Sequence, residues 1–458
     1  MDKDMVVIHR CCAGLDVHKK TVQACIRRMH PNGAVEKEVK QFGTMTRDIL
    51  ALGDWMHGQG VTHVVMESTG VFWKPIWNLL EGQFDLVLCN ARHVKQVPGR
   101  KTDTQDCEWL AQLVQYGLVR GSFVPSRRLR ELRDLTRLRA QFVADKTRVC
   151  NRIEKVLEDG NVKLGAVASD ILGVSGRAML ESLMEGHRDP VELAELARRR
   201  LRGKIPQLRR ALEGHLTEHH QFLLKTLYDE LRGLERALDG LSERIVQAVA
   251  VLSPPEPDND GPDTPPDEVE GELACRVDEE TGECIPSESV APMSFTRAVA
   301  LLDEIPGIDQ TSAENVVAEL GTDMTQFPTA DHAASWAGLC PGNNESAGKR
   351  KSGRTTKGNR WLRRALTQAA WAASRKKGSY FSALYHRLAG RRGKKRAIVA
   401  VAHALLTVAY HMLQSHTHYY ELGSSYFDQL HPQATVRYHT RRLEEMGYEV
   451  ILQPKAAA

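Results

Sequence analysis

No run of about 18 residues in the 458-residue chain is both wholly apolar and uncharged, so no membrane span and no membrane partner are expected. The stretch Met1 to Arg10 lacks the apolar segment of a cleavable signal, and the expected location is the cytoplasm. Cysteine pairs are missing too. Cys11, Cys12, Cys25, Cys89, Cys107, Cys150, Cys275, Cys284 and Cys340 form no CxxC motif, which argues against a zinc site or a disulfide framework and for reduced thiols. Acids are absent from Ala347 to Tyr420, a stretch that holds 17 Lys or Arg. A solvated helix face normally mixes both signs, so this one-signed stretch points to a polyanionic partner.

Acids are concentrated elsewhere. Between Val251 and Pro292 there are 13 acids and one base, Arg276, so the formal charge of +4 conceals +16 on the remainder of the chain. Such a balance fits nucleic acid. The same acidic stretch carries Ser-Pro-Pro-Glu-Pro and Thr-Pro-Pro-Asp, cannot bury enough apolar surface to fold, and is expected to be a disordered linker over 253–293.

The length suggests about two or three domains. From Cys11 to about Asn90, β-rich runs (Ala13–Val17, Thr21–Ile26, His63–Met66, Leu86–Leu88) alternate with helical stretches around Thr46–His57 and Trp73–Glu81. This α/β layout over 1–125 suits an RNase H-like sheet, though doubly wound folds share much of it. A helical segment follows over 126–252. It begins with an amphipathic helix on which Leu129, Leu132, Leu135, Leu138 and Phe142 recur beside Arg127, Arg128, Arg130, Arg133, Arg137 and Arg139. Further on, Leu224, Leu227, Leu231, Leu234, Leu238, Leu241 and Ile245 step by threes and fours, the seam of a coiled coil. Its partner is either a second copy or the preceding helix folded back. A mostly α domain spans 294–414, and 415–458 is a mixed appendix.

Three places offer carboxylates in catalytic settings. Asp16 closes the apolar run Ala13-Gly14-Leu15, and Glu67 closes Val64-Val65-Met66 before Ser68-Thr69-Gly70. Asp103 and Asp106 stand three apart at a helix start and so share a face. Hard cations such as Mg²⁺ take oxygen ligands, and phosphoryl-transfer sites gather carboxylates from separate elements around one or two ions. Helix capping alone would account for Asp103 and Asp106. It does not account for Asp16 and Glu67, since an acid ending a buried strand is costly unless something pairs with it.

In the last domain, Leu302 to Ile308 and Thr311 to Gly321 read as helix, Pro-Gly turn, helix. This is the helix-hairpin-helix pattern, whose turn amides and second-helix start can receive a DNA phosphate; an ordinary helical hairpin would look the same. Beyond it, Ser346 sits in a small-residue turn framed by Lys349, Arg350, Lys351, Arg354, Lys357 and Arg360. A serine so placed can approach a phosphodiester while the cations offset the charge developing on phosphorus, or the loop can simply bind phosphate.

Taken together, the motifs resemble those of the DEDD transposases of the insertion-sequence family one-ten, relatives of the pilin-gene invertases that include bridge-RNA-guided recombinases. Gly-Leu-Asp-Val-His-Lys at 14–19, Met-Glu-Ser-Thr-Gly at 66–70, Lys-Thr-Asp-Thr-Gln-Asp at 101–106, Pro-Gly-Ile at 306–308 and Glu-Ser-Ala-Gly-Lys at 345–349 stand in the family's order. The resemblance implies a RuvC-like fold for the first domain, Asp16, Glu67, Asp103 and Asp106 as a tetrad for Mg²⁺ with Mn²⁺ as a substitute, and Ser346 as nucleophile. The family's usual Ser-Ser-Gly-Gly-Lys is here Glu345-Ser346-Ala347-Gly348-Lys349, which singles out Ser346, with Ser352 a second candidate. It further implies DNA partners (element ends and target), a structured guide RNA read by shape and phosphate near 127–155, a dimer or tetramer, and residence at the bacterial nucleoid. The linker and the appendix look like additions to the family plan. Two other readings stay open: a metal-dependent RuvC-like structure-specific nuclease in which water replaces the serine, and an architectural nucleic-acid-binding protein whose acids only cap helices.

Overall fold

The computed structural model describes residues 6–68, 70–91, 94, 97, 106–119, 121–253, 276–277, 284–285, 293–342, 344–346, 349–430 and 432–452, with backbone alone at 276–277, 284–285, 344–346, 349–352 and 434. Asp103 and most of the 253–293 stretch lie outside the described residues. The chain divides into two compact units, Met1–Arg127 and Arg128–Ala458.

The first unit is built on five strands, β1 (Cys11–Val17), β2 (Thr21–Met29), β3 (Val35–Gly43), β4 (His63–Glu67) and β5 (Asp85–Cys89), in the order β3-β2-β1-β4-β5. β1, β2 and β3 pair antiparallel, whereas β4 runs parallel to β1 and β5 parallel to β4. Alternation along the strands divides the sheet into two apolar faces. Ala13, Leu15 and Val17 of β1 with Val64 and Met66 of β4 pack under α1 (Thr46–Gly58) and α2 (Trp73–Leu80). Cys12 and Val65 face the other way, onto Trp109, Leu110 and Leu113 of α3 (Asp106–Gln115). α3 lies so close to β1 that a Cβ on Gly14 would stand 2.2 Å from the Cys107 carbonyl oxygen and 2.4 Å from the Ala111 nitrogen. Only glycine admits that approach.

The second unit starts with two long helices, α4 (Arg127–Asp159) and, after the short α5 (Leu164–Val167), α6 (Val174–Glu185), α7 (Pro190–Glu195) and α8 (Ile205–Ala211), α9 (Glu218–Val251). A 3₁₀ turn, Arg199–Lys204, precedes α8. α4 and α9 run antiparallel: His220 meets Asp159 at 2.9 Å, Arg152 meets Glu230 at 3.8 Å, and Lys146 meets Glu235 at 2.8 Å. Within the seam, Leu224, Leu231 and Ile245 are buried and Leu227, Leu234, Leu238 and Leu241 half-buried, so part of its cover comes from the chain's own preceding helix. One core gathers Val149, Ile153 and Leu157 of α4, Leu224 and Leu231 of α9, and the short helices between, making a knob. The opposite ends of the two long helices, Leu129, Leu132, Ile245 and Val249, join a second core.

That second core belongs to α10 (Phe295–Asp303), α11 (Gln310–Leu320), α12 (Ala330–Trp336), α13 (Arg360–Ala373), α14 (Tyr380–Arg392) and α15 (Lys394–Ser415). α15 is long and apolar enough to cross a membrane by length and composition alone, and 56% of its apolar window is buried, as in a core helix. Within the acidic stretch, β6 (Arg276–Val277) and β7 (Cys284–Ile285) pair antiparallel. The appendix contributes α16 (Tyr426–Leu430) and α17 (Pro432–Glu445), and Tyr380 stacks on Phe427 at 5.2 Å. The seven described cysteines are free thiols, and burial pushes those of Cys12, Cys25 and Cys89 up to about 12.

Candidate active site

Two short arrays of residues bear on chemistry, one in each unit. In the first, the alternation that sends Ala13, Leu15 and Val17 to one face sends Asp16 to the α3 face, and the same parity puts Glu67 there from β4. The β1–β4 register pairs Leu15 with Met66, which makes Asp16 and Glu67 neighbours at the strand ends. Asp106 opens α3, the helix that Gly14 allows onto that face. Three of the four acids expected from the sequence therefore converge; the fourth, Asp103, is outside the described residues. Burial, and then the negative fields of Asp106 and Glu67, hold the Asp16 carboxyl above the ordinary range, against the pull of His18, whose Nε2 lies 3.1 Å from its Oδ2. The sequence left His18 unassigned, and the fold makes it a direct partner of Asp16.

Among the described residues, no group of three His, Cys, Asp or Glu side chains is disposed to hold a metal ion. The chemistry of the donors nonetheless fits a hard divalent cation: carboxylates from two strand ends and a helix start whose mutual repulsion already shows in Asp16.

In the second unit, Ser346 ends β8 (Asn344–Ser346), which pairs with β9 (Lys349–Ser352) so that Ser346 stands opposite Lys349 across the tip of a hairpin. The stem is pinned by backbone. The Gly342 nitrogen donates to the Arg354 carbonyl at 2.9 Å and the Asn359 nitrogen to that of Trp336 at 2.9 Å, and a Cβ on Gly358 would lie 2.2 Å from the Gly338 nitrogen. At its foot, Asn359 caps α13 and donates through Nδ2 to Glu319 Oε2 at 2.6 Å. Glu319, 1% exposed, also receives Arg137.

A cleft of about 800 Å³ opens beside the stem. Arg354 was expected there from the sequence; Arg363, Arg392, Lys395 and Arg396, which also line it, were not individually singled out. Their signal was present in the acid-free stretch, where Arg391, Arg392, Lys394, Lys395 and Arg396 crowd around Gly393. Lys357 and Arg360 are exposed, and the Arg360 guanidinium sits 4.7 Å above the Trp361 ring. The side chains of Lys349, Arg350 and Lys351 lie outside what the structure describes.

The arginines of α4 divide by environment. Arg127 and Arg128 are exposed and Arg130 is half-buried. Arg133 is 7% exposed and spends its donors on the carbonyls of Ala318, at 2.8 Å, and Glu319, at 2.5 Å, at the end of α11. Arg139 pairs with buried Glu314 at 2.5 Å. Arg133 and Arg137, expected on sequence grounds to face nucleic acid, are thus tied into the protein interior.

The Pro-Gly turn between α10 and α11 has also been put to another use. Gly307 (φ +89°) packs against α13, where a Cβ would lie 2.5 Å from the Ala369 carbonyl oxygen and the Ala373 nitrogen. The α11 start is capped by Asp309, whose Oδ1 accepts from the Ser312 nitrogen at 2.9 Å. A carboxylate already stands where the sequence suggested a DNA phosphate.

Comparison with known proteins adds to this geometry. A DEDD transposase model of the IS110 type matches residues 13–161, and a model of the IS116/IS110/IS902 transposase family matches residues 299–386. An uncharacterized 43.6 kDa protein of insertion element IS110 from Streptomyces coelicolor is 33% identical over 123 residues, 26% of this chain and 29% of that protein. The chain spans less than a third of the curated relative it matches. The strands bearing Asp16 and Glu67 fall in the first match and the Ser346 hairpin in the second, and both matches name one family, the IS110 transposases, to which the chain is similar in each of its two units.

Proposed function

We propose that this protein cuts and rejoins DNA as the transposase of an insertion sequence, with a carboxylate cluster in its first unit and Ser346 in its second as nucleophile. The observation that carries the reading is the meeting of Asp16, Glu67 and Asp106 on one face of the sheet, where the charges of Asp106 and Glu67 add to the cost of ionising Asp16. The strand order β3-β2-β1-β4-β5, antiparallel then parallel, supports an RNase H/RuvC-like assignment for that unit.

Asp16, Glu67, Asp103 and Asp106 would hold Mg²⁺, or Mn²⁺ in its place, which supplies charge stabilisation to a phosphate under attack. The Ser346 hydroxyl oxygen bonds to phosphorus as the bond to the 3′-oxygen breaks, leaving a phosphoserine link and a free 3′-hydroxyl. A 3′-hydroxyl from the partner strand then attacks that link, and the serine regains its proton. Arg354, Arg363, Arg392 and Lys395 neutralise flanking phosphates. Exchange between two duplexes calls for a dimer or tetramer. Exposed Arg127 and Arg128 are among the α4 residues suited to the backbone of a guide RNA, with target choice left to base pairing.

The test uses labelled element-end DNA, Mg²⁺ and the flanking RNA, resolved on denaturing gels for wild type, Ser346→Ala and Asp16→Asn. A covalent protein–DNA band lost in both variants is the expected result. Cleavage that survives Ser346→Ala without any adduct would instead make the protein a metal-dependent nuclease.

A further inference from the structure

Apart from both arrays, the knob carries a dense cationic segment of its own. From Arg198 to Arg210 there are six arginines and one lysine and no acid. Burial of Leu208 against the knob core anchors the segment, while Arg198, Arg199, Arg200, Arg202, Lys204, Arg209 and Arg210 are all exposed. Glu195 answers two of them, Arg202 at 3.8 Å and Arg209 at 3.2 Å, and Lys204 donates to the Val167 carbonyl at 2.9 Å. Among the described residues, Arg198, Arg199, Arg200 and Arg210 have no acidic partner. Three of them, with Lys204, line a cleft of about 610 Å³ whose other wall includes Ser169, Gly173, Ser175 and one acid, Asp170.

Like charges crowded in this way repel one another, and the backbone adds strain. Arg199 has φ +52°, in the left-handed region that residues other than glycine rarely enter, and the Arg198 nitrogen is tied to Ser175 Oγ at 2.9 Å. Solubility alone would be served by scattered lysines. A near-exclusive choice of arginine suits forked hydrogen bonding to phosphate oxygens.

We infer that this arginine face of the knob is a docking surface for the phosphodiester backbone of duplex DNA, separate from the Ser346 cleft and indifferent to base sequence. It rests on the transposase reading only in that nucleic acid is the polyanion this protein meets. Duplex DNA is the polyanion that reading requires; folded RNA presents the same phosphates, and binding assays on each tell the two apart.

The experiment measures binding of the full chain to a mixed-sequence DNA duplex and to a hairpin RNA across a salt series, for wild type and Arg198→Gln/Arg200→Gln/Arg210→Gln. Three lost phosphate contacts make the log–log salt slope shallower by about 2.7 on a duplex. Arg437→Gln/Arg441→Gln/Arg442→Gln on α17, an equal change of net charge, leaves the slope within error of wild type. A shallower slope on the duplex, whether or not the hairpin RNA shares it, is the expected result, and a loss confined to the RNA overturns the inference. Unchanged slopes on both probes, or an equal loss in the α17 variant, overturn the inference. If the first variant melts early, Glu195→Gln serves instead: removing the competing acid steepens the slope, and no steepening overturns the inference as well. Adduct formation by wild type is scored separately; its absence would strike the recombination chemistry and leave the salt slopes intact.

Discussion

Arg137 grips Glu319 with both arms of its guanidinium, Nε to Oε1 at 2.6 Å and Nη2 to Oε2 at 2.7 Å. The carboxylate they share with Asn359 is almost wholly enclosed, so the helix α4 is fastened to the foot of the Ser346 hairpin through one buried charge. Glu319→Gln leaves the cations of Arg133 and Arg137 without their anion. A loss of about 3–5 kcal/mol in denaturant unfolding is expected, as for other broken buried pairs. A loss below about 1 kcal/mol would mean that the network is solvated in solution.

Gly14 permits the contact that brings Asp106 to Asp16. Gly14→Ala forces α3 away from β1, since the new methyl would overlap backbone that cannot rotate aside. We expect about 3 kcal/mol or more of destabilisation and loss of strand cleavage. Thermal melts and the adduct gel report the two effects separately.

Asp16→Asn removes one of three converging carboxylates. Without divalent cation the variant melts higher than wild type, because burial beside Glu67 and Asp106 disfavours the charged form. Adding Mg²⁺ raises the wild-type melting temperature and leaves that of the variant unmoved. Equal Mg²⁺ responses in the two proteins would remove Asp16 from the ligand set.

In the knob, Glu235 receives Lys146 at 2.8 Å and Arg177 at 2.5 Å. Burial works against its charge, but the two hydrogen-bonded cations prevail and hold the carboxyl below its ordinary value. A depressed pKa contributes stability that is present above the unfolded value of about 4.3 and is lost as pH falls through the folded value. Glu235→Gln therefore costs about 1.5–3 kcal/mol at neutral pH. The gap between variant and wild type closes on acidification below about pH 4.

The first unit was legible where burial imposes a pattern. β1, β2, β4 and β5 lie where apolar runs predicted strands, because each is covered on at least one face. β3 escaped notice: Val-Glu-Lys-Glu-Val-Lys is an exposed edge whose side chains obey no apolar rule. Asp16 and Glu67 stood out as acids closing apolar strands, yet their adjacency depends on the β1–β4 register and on α3, both long-range facts. The long helices were readable from their leucine spacing. The partner of Arg133 was not, since Ala318 and Glu319 lie more than 180 residues away. The arginine face of the knob was visible as letters, but only the fold shows which of its charges Glu195 answers.

α4 is unbroken for 33 residues, a rod of about 50 Å. Its Arg137 end is seated at the foot of the serine hairpin, and its far end is built into the knob that bears the unanswered arginines. One stiff element therefore ties the knob to the foot of the Ser346 hairpin, so that the two are held at a set spacing and cannot swing independently of each other.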